Sequence, residues 1–326
     1  MKKVFQMIGL ISLTCFSFFV TEQTATVVND MDEIMIEIKD KKDDYKLDSI
    51  DAIINNNTII PGICKREVNV NKSYKVMKTN GYFSDKLFVY DYEKPKISLI
   101  DNIDKYIIKG NPSKRMVSLI FKVEKDEDIK DILNVINNYN VKATFFVNYN
   151  WFSNNNDLVE ELIKNNHIVS PLMEDYTSSD FEWMDMVLKK INKQSVGFCY
   201  NINDNQNNLE ECILKNNYTI KPTEISETTP LVDIKDKLEA GAMFSLKVNS
   251  QVKKELSTII IHIKSKGYKL VNIKDNVLEW KLTIKKKWDI LKTHTGPTVC
   301  MEIYNIIYFW GNCFFKAILF LSFFSY

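Results

Sequence analysis

The chain has 326 residues with a formal net charge of +1, and only 9 glycines and 7 prolines. These values exclude a collagen-like or Pro/Gly-rich chain and give no electrostatic reason to expect nucleic acid as a partner. Hydrophobic residues make up 45% and charged residues 26%, so the chain can bury a sizeable core in two domains or in one large domain with extensions. The six cysteines include no Cys-x-x-Cys pair, which disfavours a zinc knuckle and favours free, buried thiols over any disulfide.

The N-terminal segment has the pattern of an export signal. Lys2 and Lys3 precede a run without charge from Val4 to Val20. This pattern is typical of a secretory signal peptide or of an uncleaved signal anchor. We assign residues 1–28 to this segment and expect an exported or membrane-anchored protein on the extracellular face of the cell envelope. Residues 29–57 are rich in charge and poor in aromatics, which predicts a solvated stalk.

Residues 58–110 have a mixed pattern. Pro61-Gly62 marks a turn, and Leu87–Tyr90 has the composition of a strand. A short helix is predicted from Ser73 to Asn80, ended by Gly81. The segment is therefore predicted to be a small α+β module, which either packs on the following domain or forms a separate binding domain.

Strand-like and helix-like segments alternate from Val117 onwards. Val117–Phe121 and Val141–Val147 flank a helical pattern of isoleucines and leucine. Five further strand-like segments follow near residues 167–169, 195–200, 218–221, 242–247 and 269–273, with amphipathic helical patterns between them. Strands that alternate with amphipathic helices predict an α/β fold with a parallel sheet covered by helices.

Two segments carry a resemblance to a known family. Residues 141–147 read Val-Lys-Ala-Thr-Phe-Phe-Val, and residues 263–273 read Ile-Lys-Ser-Lys-Gly-Tyr-Lys-Leu-Val-Asn-Ile. Both resemble the polysaccharide deacetylase (NodB-homology) family, carbohydrate esterase family four. Over residues 115–276, the resemblance implies a distorted (β/α) barrel of about seven strands. It also implies carbohydrate N-deacetylation that uses a divalent metal such as zinc and an aspartate base.

The positions of the family's catalytic residues hold other residues in this chain. The resemblance places Lys122 at the base position, Lys247 near the acid position, and Val123, Leu172 and Tyr176 at the metal-ligand positions. A lysine cannot act as the carboxylate base, and valine and leucine have no donor atom for a metal. We therefore expect no metal cofactor and lean against enzymatic activity. The hypothesis is a catalytically inactive barrel that binds or scaffolds envelope glycan, either peptidoglycan or another N-acetyl-sugar polymer.

Several side chains are candidates for lining the altered pocket, because sites of such barrels form at the carboxyl ends of the strands. They are Lys122, Glu124, Tyr149, His167, Glu174, Asp175, Tyr200 and Lys247. The two lysines either make a positive pocket or reach solvent, and the aromatics either stack on sugars or pack at the rim. For His167, a hydrogen-bonded residue at a strand start is favoured over a ligand.

Two other functions stay open. One is an active carbohydrate N-deacetylase with non-standard carboxylate ligands from residues 124–127 and 174–175. The other is a membrane-tethered interaction protein that uses the module of residues 58–110. Residues 277–326 add a basic cluster and then an apolar, aromatic tail. That tail is a membrane segment, an interfacial or packed tail, or a non-native end from a reading-frame error.

Overall fold

The computed structural model describes residues 31–124, 127–173, 177–192, 197–201 and 205–279. Its contacts divide the chain into two compact units. Of the described residues, the small unit contains 31–48 and 65–93, and the large unit contains the rest. The predicted signal or anchor and the tail from residue 280 lie outside the described residues. Within the described ranges, no helix is both long and apolar enough to cross a membrane.

The helices of the described chain are α1 (Glu33–Lys41), α2 (Val70–Asn80), α3 (Lys130–Asn138), α4 (Tyr149–Asn154), α5 (Asn156–Lys164), α6 (Ser178–Asn192), α7 (Gln206–Leu214), α8 (Pro230–Lys237), α9 (Ser250–Ser265) and α10 (Ile273–Val277). The strands are β1 (Ile53–Asn55), β2 (Thr58–Ile60), β3 (Lys65–Val68), β4 (Tyr90–Glu93), β5 (Tyr106–Ile107), β6 (Met116–Val123), β7 (Thr144–Val147), β8 (Ile168–Pro171), β9 (Phe198–Tyr200), β10 (Tyr218–Ile220), β11 (Thr223–Glu224), β12 (Met243–Lys247) and β13 (Lys269–Leu270).

The small unit packs α1 and α2 beside the antiparallel pair β3–β4. Met35 and Ile38 lie one helical turn apart on α1 and are buried in one cluster with Met77 of α2. Helix α2 ends at Gly81, whose φ of 79° is the left-handed conformation that glycine adopts without strain. The solvated stalk predicted over residues 29–57 therefore differs from the structure. The high charge of this segment concealed the narrow apolar face that α1 buries.

The large unit also takes up residues that were predicted to belong to the α+β module. Strand β2 pairs in parallel with β5, and β5 pairs in parallel with β10. Residues 49–64 and 94–110 thus lie in the large unit, so the predicted boundary at residue 110 differs from the structure. Strands of two or three residues leave too short a pattern to recognise in sequence, and only their distant partners define them.

The large unit has an α/β fold with parallel strands, as predicted. One sheet has the order β11-β12-β6-β7-β8, with β13 also paired to β6, and the other has the order β1-β2-β5-β10-β9. A parallel bridge between Leu172 and Tyr200 joins the end of β8 to β9. All seven predicted strand regions contain a strand, whereas β1, β2, β5 and β11 of the large unit were missed.

Strand β6 is buried on both faces, which is typical of a parallel sheet covered by helices. Leu119 and Phe121 belong to the core cluster that includes the apolar residues of α3 and α9. Ile120 points to the opposite face and belongs to the cluster that includes Phe146 and Met243. Because side chains alternate along a strand, Lys122 lies on the same face of β6 as Ile120. This alternation places Lys122 on the inner side of the sheet, at the strand's carboxyl end.

Cys199 and Cys212 form a disulfide that connects β9 to α7. The favoured prediction of free thiols is therefore wrong for this pair. The two residues are 13 positions apart, and the packing of α7 on the sheet brings them together. The cysteines at positions 15, 300 and 313 lie outside the described residues.

Candidate functional site

The candidate site lies where parallel strands of the large unit end. Lys122 of β6 is in register with Lys247 of β12 and with Phe146 of β7. The carboxyl ends of parallel strands meet at one edge of a sheet, and this is the edge on which barrel sites are built. The position that the resemblance assigns to the base and the one near the acid position are therefore neighbours in the structure.

Lys122 is held in a hydrogen-bonded network. Its Nζ lies 2.7 Å from Glu224 Oε2, and its side chain is 17% exposed. The Tyr200 hydroxyl donates to the other carboxylate oxygen of Glu224 and lies 3.0 Å from Ser245 Oγ. Hydrogen bonds between charged partners are stronger than neutral ones, so the network orients the lysine and neutralises its charge locally.

Lys247 also has acidic partners. Its Nζ lies 3.3 Å from Glu124 Oε1 and 3.8 Å from Glu227 Oε1. The hydrogen bond with Glu124 raises the pKa of Lys247, because this bond stabilises the protonated amine. The positive pocket considered from the sequence is therefore not what the structure builds, because each lysine is paired with a carboxylate.

The metal-ligand positions that the structure describes are apolar and buried. Val123 is 0% exposed and Leu172 is 1% exposed. Neither side chain has a donor atom, so these residues do not fit the divalent metal that the family uses. Tyr176, the third position, lies outside the described residues. Over the described ranges, no three His, Cys, Asp or Glu side chains are grouped in a way that could hold a metal ion.

The carboxylates considered as alternative ligands have other partners where they are described. Glu124 pairs with Lys247. Glu127 Oε2 accepts a hydrogen bond from the backbone N–H of Glu124 at 2.8 Å, and burial raises the pKa of the Glu127 carboxyl. Glu174 and Asp175 lie outside the described residues. The two described carboxylates are thus engaged by groups of the protein itself.

His167 lies at the other end of the sheet. It directly precedes β8, and the backbone N–H of Ala143 donates to its Nδ1 at 3.1 Å. Its Nε2 lies 3.0 Å from Asn137 Oδ1. Burial lowers the pKa of His167 to about 4, which keeps the ring neutral at ordinary pH. Its assignment as a pocket-lining residue is corrected, because residues before a strand lie at the edge opposite the site.

The aromatic side chains close to the carboxyl ends of β7 and β9 differ in exposure. Tyr200 is 3% exposed and Trp151 is 1% exposed, so neither ring can stack on a sugar. Tyr149 follows β7 at the site edge and is half-buried, with its ring edge-to-face against Trp183 at 5.7 Å between centroids. Among these three rings, Tyr149 is the one with a surface accessible to a ligand.

Sequence reasoning missed three polar residues of the site: Glu224, Glu227 and Ser245. Glu224 belongs to β11, a strand of only two residues, which gives no periodic signal. Ser245 is the polar residue among the first four residues of β12, all of which are buried. That isolated serine within the pattern Met-Phe-Ser-Leu-Lys was the available signal.

Comparison with known proteins agrees with this geometry. Residues 109–171, which contain β6, β7 and β8, match the family model for polysaccharide deacetylase. The chain contains a polysaccharide deacetylase-like domain. The matched segment includes Lys122, Val123 and His167, whereas Leu172, Tyr176 and Lys247 lie beyond its end.

Relatives of the deacetylase-like protein cover most of its length. It is 27% identical over 283 residues to the uncharacterised protein YlxY of Bacillus subtilis (strain 168), a match that covers 80% of this chain and 88% of YlxY. The crystal structure of wild-type BA3943 from Bacillus anthracis, a CE4 family pseudoenzyme, matches with a TM-score of 0.57 and 22% identity, over 77% of this chain and 97% of that one. A BA3943 mutant with restored enzymatic activity matches with the same TM-score. At this identity, the structural matches show a shared fold.

Proposed function

We propose that the deacetylase-like domain is a non-catalytic module that binds an N-acetyl-sugar polymer of the cell envelope, such as peptidoglycan. The observation that carries the proposal is that other residues stand at the base and metal-ligand positions implied by the resemblance. The base position holds Lys122 in an ion pair with Glu224, and two ligand positions hold the buried side chains of Val123 and Leu172. Deacetylation needs a metal-activated water and a carboxylate base, and these side chains supply neither.

The polar rim supports a binding role. Lys122 pairs with Glu224 and Lys247 pairs with Glu124 at the carboxyl ends of the strands, where the sites of such barrels lie. Charged and polar side chains held at the carboxyl ends of strands can form hydrogen bonds with the hydroxyl and amide groups of a glycan. The fold match to a protein described as a CE4 family pseudoenzyme also supports this reading. Fold alone does not establish function, so a direct binding measurement is required.

Export is part of the proposal. The Cys199–Cys212 disulfide supports it, because disulfides persist in oxidising compartments outside the cytosol. The N-terminal pattern of two lysines followed by a run without charge points the same way. We propose that this segment exports the chain or anchors it in the membrane, with the domain on the outer side.

The test measures binding and catalysis on one sample of the full chain. We expect it to be retained by insoluble peptidoglycan or chitin, and to release no acetate from either polymer with or without added zinc. The variant Lys122→Glu places two carboxylates together, and its retention is expected to fall by about fivefold. The matched control is Lys164→Glu, which makes the same charge change at an exposed ion pair on α5.

Two results would contradict the proposal. Zinc-dependent acetate release by the wild-type chain would establish an active deacetylase with unrecognised ligands. If wild type, Lys122→Glu and Lys164→Glu are retained equally, Lys122 and its ion pair do not contribute to glycan binding. Thermal unfolding of each variant shows whether a change in retention reflects the site or a loss of folding.

A further inference from the structure

The charged side chains at the candidate site include more carboxylates than ammonium groups. Lys122 is paired with Glu224. Lys247 has two acidic neighbours, Glu124 at 3.3 Å and Glu227 at 3.8 Å from its Nζ. We call these five side chains the acidic rim. Carboxylates are ionised and lysines are protonated at neutral pH, so the acidic rim carries a net negative charge.

Glu227 supplies the charge in excess. Its side chain is 58% exposed, whereas that of Lys247 is 34% exposed. Glu124 lies closer to the Lys247 ammonium than Glu227 does, and 3.8 Å is too long for a hydrogen bond. The Asn249 side-chain amide donates to the Glu227 carbonyl at 3.2 Å, which holds the backbone of Glu227 in place. The site edge therefore presents a fixed carboxylate to solvent.

Two other lysines of α8 and α9 do not offset this charge. Lys237 Nζ lies 3.0 Å from Asp233, and Lys253 Nζ lies 4.0 Å from Asp131. Each of these lysines thus has an acidic partner of its own. Within the part of the chain that the structure describes, the carboxylate of Glu227 is available to a cationic group of a ligand.

A buried hydroxyl faces the inner end of the same site. Ser170 of β8 is 0% exposed, and its Oγ has no hydrogen-bond partner among the residues that the structure describes. Ser170 is in register with Phe146, which is in register with Lys122. Side chains in register share one face of a parallel sheet. The Ser170 hydroxyl therefore lies on the inner face at the level of Lys122, with hydrogen-bonding capacity left for a polar ligand.

We propose that the acidic rim selects glycan units that carry a free, protonated amino group. An N-acetyl amide is uncharged, whereas the amine that remains after its hydrolysis to acetate is a primary ammonium, which forms strong hydrogen bonds with a carboxylate. The ligand is thus the de-N-acetylated part of the polymer, with its ammonium paired to Glu227. A reaction of the amide-hydrolysis class, carried out by another protein, must supply it. This inference rests on the proposed function, because it specifies which units the glycan site takes.

Calorimetric titration of the full chain tests the selection with two soluble probes, the tetramers of glucosamine and of N-acetylglucosamine. At pH 6 primary amines are protonated and exposed carboxylates are ionised. We expect the wild type to bind the glucosamine tetramer about fivefold more tightly than the acetylated one. Glu227→Gln keeps the size of the side chain and removes its charge, so this ratio is expected to fall below about twofold. The matched control, Glu160→Gln at an exposed ion pair on α5, is expected to keep the wild-type ratio.

Four results would overturn the proposal. Equal affinity of the wild type for both tetramers would leave glycan binding in place without the selection, and an unchanged ratio in Glu227→Gln would remove the acidic rim as its cause. Binding of neither tetramer, together with no retention on peptidoglycan, would contradict the proposed function itself. A lysine-containing tetrapeptide that binds as tightly as the glucosamine tetramer, and is weakened equally by Glu227→Gln, would assign the acidic rim to a peptide.

Discussion

Protonation of His167 is expected to destabilise the large unit below neutral pH. Because the Ala143 N–H donates to Nδ1, the neutral ring carries its proton on Nε2 and donates it to Asn137 Oδ1. A second proton on Nδ1 would place two donors face to face and put a charge in a buried site. The pKa of His167 therefore falls from 6.5 to about 4 in the folded protein, with burial as the largest cause.

The size of the effect follows from linkage. A folded-state pKa below the unfolded value means that the unfolded chain binds the proton first, so stability present above pH 6.5 is lost as the pH falls towards 4. The full effect is about 3 kcal/mol, and about 2 kcal/mol of it is lost between about pH 7.5 and pH 5. The variant His167→Gln keeps one acceptor and one donor but does not titrate in this range, so it should lack this part of the loss.

Urea unfolding of wild type and His167→Gln at the two pH values measures the difference. Carboxylates that titrate near pH 5 are common to both proteins and cancel in the comparison. His262→Gln removes a partly exposed histidine whose pKa burial also lowers, and it is expected to retain most of the wild-type loss. An NMR titration of the His167 ring in the wild type provides a second measurement. A ring pKa near 6.5, or equal losses in wild type and His167→Gln, would refute the reasoning.

Three further predictions concern stability. Replacing both Cys199 and Cys212 by serine should lower the free energy of unfolding by about 3 kcal/mol, because the disulfide closes a loop across a sequence separation of 13; a reducing agent should then have no further effect. Ile260→Ala should cost about 2–5 kcal/mol because Ile260 is fully buried, whereas Ile261→Ala, at a position 52% exposed, should change stability by less than about 0.5 kcal/mol. Gly241→Ala should cost more than about 1 kcal/mol, because Gly241 has a φ of 86° and a Cβ there would lie 2.2 Å from a backbone carbonyl oxygen.

Denaturant unfolding of the full chain checks each of these values. The first would be refuted if the double serine variant were as stable as the oxidised wild type. Equal losses at Ile260 and Ile261 would contradict the assigned buried face of α9. An unchanged midpoint for Gly241→Ala would show that the backbone relaxes without cost at that turn.

The sequence by itself determined the α/β class, because hydrophobic periodicity is a local property. Val117–Phe121 and the helical face around Ile260 carry that signal whatever their partners are. The resemblance to the family also predicted the replacement of its catalytic positions, since Lys122 and Val123 are placed by the local sequence pattern that carries the resemblance. For the same reason, α2 and its end at Gly81 were predicted within a few residues.

Only the tertiary structure decided which side chains meet. The pairing of Lys122 with Glu224 joins residues separated by 102 positions, and no local pattern encodes such a contact. The disulfide and the position of His167 at the opposite edge of the sheet likewise depend on strand order and register. Residues 49–64 belong to the large unit because β2 pairs with β5, a pairing of short strands that is stabilised by their neighbours in space. Hydrophobic periodicity therefore predicted the helices and strands. The ion pairs of the site depend on contacts between residues far apart in sequence, which periodicity does not encode.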